Sequence, residues 1–234
     1  MQGNIKSLLI IESLEDLDYL PNNVTPIGSG SNLIVNPESK KVFVKVSPKF
    51  CDFKLSKNNE ESKCIDKSSN KKFTKGIQEH SSGVVCSAGQ SISQILKWMV
   101  NNQKSGLEFA AGVPASIGGM VYMNFECWGY QISDIVESVY IYTKKNGPHW
   151  VKRDDYKSSY RWTSFHQKNC IILAVKLNLH KELSSSILKN ITDNINERKK
   201  KQPLLKSTFG SVFKNPLPEK KKLKIYQIIW STLK

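Results

Sequence analysis

Between Gly106 and Gly119 the chain reads Gly-Leu-Glu-Phe-Ala-Ala-Gly-Val-Pro-Ala-Ser-Ile-Gly-Gly, a run that offers a core little side-chain volume. Glycine loses more conformational freedom on folding than any other residue, so such a density is costly to order. A close approach of this backbone to something else offsets the cost. That something is either a ligand or another element of the same fold. Pro114 fixes one φ angle and stiffens the turn, and the segment continues to Asn124.

A second small-residue segment, Gly28-Ser29-Gly30-Ser31-Asn32, lies between a strand candidate ending at Ile27 and the apolar Leu33 to Val35. Its glycines admit close approach and positive φ, and successive N–H groups with two serine hydroxyls suit a pyrophosphate. A hairpin turn is the plainer reading. The GxGxxG spacing and following helix of a Rossmann site are absent.

Around these segments strand and helix signals interleave. Leu8 to Ile11 predicts a strand, Ser13 with Glu15 and Asp16 a brief helix, and the alternating Val42, Val44 and Val46 a half-buried strand. From Ser47 to Ser82 the composition turns to Lys, Asn, Ser and Glu, predicting a surface insertion. Val84 to Ala88 resumes strand character. Ile92, Ile95, Leu96, Met99 and Val100 then share a helix face, with Ser91 or Ser93 as the cap. Strands are predicted at Val136 to Tyr142 and Ile171 to Leu179. An amphipathic helix follows through Ile187, Leu188, Ile191 and Ile195, ending in the basic run Arg198 to Lys201 before Gln202-Pro203.

At 234 residues the chain accommodates one large domain or two small ones, and 39% hydrophobic with 24% charged residues argues against a fibrous or wholly disordered protein. The net charge of +15 raises nucleic-acid binding as a reading. The excess is mostly lysine among Asn, Ile and Ser, and no helix-turn-helix, RNP-like or zinc-finger pattern accompanies it, so no nucleic acid is expected. The same field favours an anionic small molecule. Five widely spaced cysteines predict free thiols in a reducing compartment, and no CxxC pair predicts a metal site. Neither an export leader nor a membrane span is expected, which predicts a soluble intracellular monomer.

Two further segments carry chemistry. Tyr160-Arg161-Trp162-Thr163-Ser164-Phe165 presents a guanidinium fork able to hold a carboxylate between aromatics, or an exposed arginine with a cation–π contact. Gly210-Ser211-Val212-Phe213-Lys214-Asn215-Pro216 offers a hydroxyl and a cation near one another, or a strand entering a turn. No GxSxG elbow supports a hydrolase.

In this order the four segments resemble the UDP-N-acetylenolpyruvoylglucosamine reductase (UDP-N-acetylmuramate dehydrogenase) family. Its pattern runs GxGSN, GLEF(A)xGxPxxxGG with a later asparagine, YRxSxF, and GSxFKNP after a Gln-Pro pair. The resemblance covers roughly residues 8 to 216. It implies an α+β, two-lobed FAD-binding fold of the vanillyl-alcohol oxidase/PCMH type with a curtailed substrate-binding domain. Residues 1–83 would form the first FAD-binding lobe, with an insertion over 47–82; residues 84–183 would form the second, and 184–234 a remnant of the substrate domain.

By the same resemblance, Gly28, Ser29, Gly30, Ser31 and Asn32 contact the FAD pyrophosphate. Gly112, Val113, Pro114, Ser116, Ile117, Gly118 and Gly119 wrap the cofactor from the second lobe. Arg161 faces flavin and substrate carboxylate, Ser211 donates a proton, and Tyr160, Lys214 and Asn215 hold the substrate. The implied reaction uses NADPH to reduce FAD, and then UDP-N-acetylglucosamine enolpyruvate receives the hydride to give UDP-N-acetylmuramate for peptidoglycan. Its place would be a bacterial cytoplasm or the stroma of a bacterium-derived organelle. Three departures stand out. Ala115 replaces a glycine, Phe125-Glu126-Cys127-Trp128 replaces a small-residue run that borders the flavin, and both ends look truncated. Only 217–234 follow the fourth motif, without a counterpart of the family's C-terminal carboxylate. An impaired flavin-binding descendant is therefore the alternative reading.

Overall fold

The computed structural model describes residues 5–53, 76–80, 83–202, 210–211 and 213–215. Strands β1 (Leu8–Ile11), β2 (Val24–Pro26) and β3 (Val42–Val46) form a parallel sheet in the order β1-β3-β2. Its valine alternation works as predicted on one face: Val44 and Val46 join the core beside Ile11, which pairs with Val46. The brief helix after β1 is a 3-10 turn over Glu15–Tyr19. The Asp16 carboxylate organises it by accepting the N–H groups of Glu12 and Ser13. Leu33 to Val35 adds no strand to this sheet.

Next come β4 (Ile77–His80), β5 (Gly83–Ser87), helix α1 (Ile92–Asn101), β6 (Lys104–Ser105) and helix α2 (Ile117–Tyr122). A tight hairpin of β7 (Glu126–Cys127) and β8 (Tyr130–Gln131) precedes the long strands β9 (Val136–Thr143) and β10 (Gly147–Lys152). A second small hairpin, β11 (Ser158–Ser159) with β12 (Trp162–Thr163), leads to β13 (Ile171–Leu177), β14 (His180–Lys181) and helix α3 (Ser184–Lys201). The antiparallel main sheet runs β10-β9-β13-β5-β4. Its central strand β13 is buried along its whole length, which explains its unbroken apolar sequence. The exception, Lys176, meets Glu137 Oε1 at 2.7 Å, so its charge is paired. No helix among the described residues is long and apolar enough to cross a membrane.

Helix α1 begins where predicted. Ser91 accepts the Gln94 N–H, and Gln94 returns the bond to the Ser91 N–H, a reciprocal cap that stabilises by about 1 kcal/mol. Ile92, Ile95, Leu96 and Met99 form its buried face. At the far end of the chain α3 differs from a simple basic terminus: Arg198 turns inward, is buried, and donates Nε–H to Ala111 O at 3.0 Å.

The segment predicted as a surface insertion is anchored at both ends. Phe50 and Phe53 are buried, with ring centroids 6.4 Å apart. Ile77 is buried in β4, which pairs with β5. Residues 54–75 and 81–82 of the predicted insertion lie outside the described residues, as do 203–209, 212 and 216–234 of the predicted substrate-domain remnant. Two isolated phenylalanines in a polar stretch escape a composition average, yet they close the core beneath the first sheet. Phe50→Ala is therefore expected to cost about 3–5 kcal/mol in urea unfolding. Lys49→Ala, at an exposed neighbour, should stay within about 0.5 kcal/mol; equal effects would contradict this placement.

Candidate functional site

The first two motifs meet. Helix α2 is docked on the end of β5 by Ile117 N–H to Gln90 O at 3.0 Å and Gly118 N–H to Ala88 O at 2.9 Å. Ser116 caps it, accepting the Gly119 N–H at 3.4 Å. This turn faces Gly28 so closely that a Cβ there would stand 2.8 Å from Ser116 Oγ and 3.5 Å from Gly119 Cα. A side chain at Gly28 would displace the Ser116 hydroxyl.

A cavity of about 390 Å³ opens beside this pinch, lined in part by Gly28, Ser116, Gly118 and Gly119. Those four of the predicted cofactor residues share one space. Ser29, Gly30, Ser31 and Asn32 carry the turn onward from Gly28, with Gly30 at φ 73°. Ile117 is wholly buried in the core. Gly112, Val113 and Pro114 do not line the cavity. Gly112 has its own local reason to be glycine: φ is 77°, and a Cβ would lie 3.2 Å from Arg198 Cδ.

Arg161 sits in the turn of the β11–β12 hairpin at φ 55°. Its Nη2 donates to Glu126 O at 3.2 Å, and the guanidinium lies 5.4 Å from the Phe125 ring centroid and 5.5 Å from that of Tyr160. Among the described residues no carboxylate pairs with it. The charge is held in place by neutral groups and left uncompensated. The departure at Phe125 to Trp128 thus has a role the sequence did not suggest, since none of these residues lines the cavity. They lead into and build the β7–β8 hairpin, whose Trp128-Gly129 turn takes φ 58° and 83°; Phe125 and Glu126 support Arg161, whereas Cys127 and Trp128 face Arg198. Asn124 ties this hairpin to the next, its Nδ2 donating to Gln131 Oε1 at 2.9 Å and Ser159 O at 3.0 Å. Its Oδ1 is buried without a hydrogen-bond partner among the described residues.

The fourth motif touches the first and the third. A Cβ on Gly210 would lie 3.8 Å from Asn32 Oδ1, and Asn215 N–H donates to the Tyr160 hydroxyl at 3.3 Å. Ser211 and Lys214 are exposed; Val212 and Pro216 lie outside the described residues.

Tyr122 and His166 are among the cavity-lining residues that sequence reasoning missed. The glycine-rich run reads as a loop, so its helical end, which puts Ser116, Gly119 and Tyr122 on one face at three-residue spacing, went unseen. Cys170, also in the wall, has its thiol pushed up to about 11, mainly by burial. Burial raises the Tyr122 hydroxyl, with Cys170 adding to it, and lifts Cys86 to about 12. The expectation of free thiols holds for Cys86, Cys127 and Cys170. It fails at Cys51, which is disulfide-bonded; an odd total leaves room for a pair that spacing does not reveal.

No family model matches the sequence. The solved UDP-N-acetylenolpyruvylglucosamine reductase of Thermus caldophilus shares the fold, with a TM-score of 0.72 at 22% identity over 97% of this chain and 73% of that one. Fold and site define an α+β protein in which a parallel and an antiparallel sheet bring two glycine-bearing loops together beside a cavity. Sequence relatives narrow the class. The UDP-N-acetylenolpyruvoylglucosamine reductase of Listeria monocytogenes is 34% identical over 140 residues, 60% of this chain and 47% of that protein. The Fusobacterium nucleatum enzyme is 27% identical over 220 residues, 92% of this chain and 69% of that protein. In sequence and in fold the chain resembles the UDP-N-acetylenolpyruvoylglucosamine reductases. It spans about half the length of the Listeria relative.

The thiols give a test of the cavity wall. A thiol near 11 is only about one part in a thousand thiolate at about pH 8, and the thiolate is the form that reacts. Brief iodoacetamide treatment of the native protein should label half-exposed Cys127 before Cys170 or Cys86, read by peptide mass spectrometry. Equal labelling of Cys170 would contradict the closed wall.

Proposed function

We propose that this chain binds FAD and carries out NADPH-dependent reduction of UDP-N-acetylglucosamine enolpyruvate to UDP-N-acetylmuramate, in a bacterial cytoplasm or a comparable organelle stroma. The observation that carries the reading is the convergence of four separate motifs. Gly28 abuts Ser116 and Gly119, Gly210 lies by Asn32, and Asn215 bonds Tyr160. The residues fit a dinucleotide: a cavity of about 390 Å³ opens beside two glycine-bearing loops, with Gly28, Ser116, Gly118 and Gly119 in its wall.

Bound FAD would supply hydride chemistry, loaded from NADPH. The chain's part is to hold and polarise. The Gly28 N–H and the Ser116 hydroxyl hold the pyrophosphate, Gly118 and Gly119 clear space beside it by lacking side chains, and the turn from Ser29 to Asn32 continues the cradle. In this reading Gly112, Val113, Pro114 and Ile117 support the second lobe's loop from behind. Arg161 faces the enolpyruvyl carboxylate. As charge spreads from C2 into that carboxylate, a guanidinium already fixed by Glu126 O and two rings stabilises it without reorganising. Ser211 holds the proton delivered to C2. Tyr160, Lys214 and Asn215 hold the nucleotide portion, and the net charge of +15 draws in both anionic substrates. The protein acts as a monomer without nucleic acid.

Purified protein is expected to be yellow and to oxidise NADPH faster when the enolpyruvyl substrate is present. Arg161→Ala should lower kcat/KM by about 10²–10³-fold and Ser211→Ala by about 10²–10⁴-fold, both retaining FAD. Gly28→Val should fold but lose FAD. Flavin reduction by NADPH with no response to substrate would instead identify an impaired flavin-binding descendant, and a well-folded colourless protein that refuses FAD would refute the reading.

A further inference from the structure

The cavity has a wall that the four motifs do not account for. Tyr122 lies one turn beyond Gly119 on α2, on the face that meets Gly28. Its ring stacks on His166, with centroids 4.1 Å apart and planes 27° from parallel. Trp162 meets His166 edge-on at 6.2 Å. Both Tyr122 and His166 line the cavity.

Packing alone does not explain this pair. The neighbouring Met120 and Val121 are buried at 2% and 1% exposure, whereas Tyr122 is 37% exposed. The pair is nevertheless firmly held. Thr163 Oγ1–H donates to Tyr122 O at 2.8 Å, and His166 Nε2 approaches the same oxygen at 2.9 Å. A carbonyl only accepts, so Nε2 carries the proton. Two hydrogen bonds and a stacked ring thus fix an aromatic face that remains partly open.

We infer that the Tyr122–His166 stack is a ring-binding wall: a planar heteroaromatic ring of the dinucleotide packs against Tyr122, and His166 is the positioning residue that holds the tyrosine ring. The inference rests on the FAD reading above. It assigns a contact to side chains rather than to the backbone loops. Two rings of FAD share the required chemistry, the isoalloxazine and the adenine, and the ligand series below separates them.

The test is binding, without turnover. Protein freed of flavin is titrated with FAD, riboflavin and ADP. A stacked ring contributes enough that Tyr122→Leu should weaken FAD about tenfold to a hundredfold, while Tyr122→Phe stays close to wild type. Equal loss for riboflavin places the isoalloxazine on the wall, and equal loss for ADP places the adenine there; either supports the inference. His166→Ala should lose part of the affinity and His166→Phe, which keeps the stacked ring, should recover it. Bound riboflavin or FAD should fluoresce more brightly in Tyr122→Leu if the flavin ring is the one stacked. Wild type that binds FAD, with folded Tyr122→Leu binding it within about twofold, overturns the wall alone. Wild type that binds none of the three ligands overturns the FAD reading itself.

Discussion

Two stretches of chain meet at Gly28 and at the Ser116 turn, with only the Ser116 hydroxyl between their backbones. A methyl group at Gly28 would stand 2.8 Å from that hydroxyl, which would have to shift. Because Gly28 follows a strand of the parallel sheet and Ser116 caps a helix docked on the antiparallel one, the contact sets how the two sheets face each other. The cavity exists because they approach at one point and diverge beside it. The conformational cost of so many glycines is thereby concentrated where the two segments come closest.

Around this contact the two sheets share one hydrophobic cluster, from Ile11 and Val46 through Phe50 and Phe53 to Leu173 and Val175. Rigid packing on either side matters for function, since hydrogen-bond donors stabilise developing charge only if they need not move to meet it. Helix α1 and strand β13 supply that rigidity beneath α2. The buried Lys176 is paired with Glu137, so the sheet's central strand holds a charge without leaving it unmet.

Much of this was legible in the sequence. The Ser91 cap, the α1 face and the buried strand at Ile171 follow from period and capping chemistry alone. The four motifs were visible because their residue types are expensive for ordinary structure. What escaped has a common cause. Helix α2 hides in a glycine run with poor helix propensity and forms because its first N–H groups bond to the end of β5. Phe50 and Phe53 belong to the core although their neighbours are polar, and a window average dilutes them. Tyr122 and His166 are 44 residues apart in sequence, and no local pattern can join them. The disulfide at Cys51 likewise depends on a contact that counting cysteines does not reveal.

Arg161 shows how an apparent departure becomes part of the support. A small-residue run beside the site would leave the guanidinium to be held by its own hairpin. Here Phe125 places a ring beneath it and Glu126 gives a backbone carbonyl, while Phe109 stacks on Phe125 at 6.2 Å from behind. None of these groups carries a negative charge at the guanidinium, so they orient it without neutralising it. A carboxylate in the same position would have held the arginine more tightly and neutralised its charge. Positioning a cation through aromatic faces and a carbonyl therefore keeps its full attraction for a ligand, and it explains why bulky residues are tolerated where a glycine-rich run would otherwise be expected.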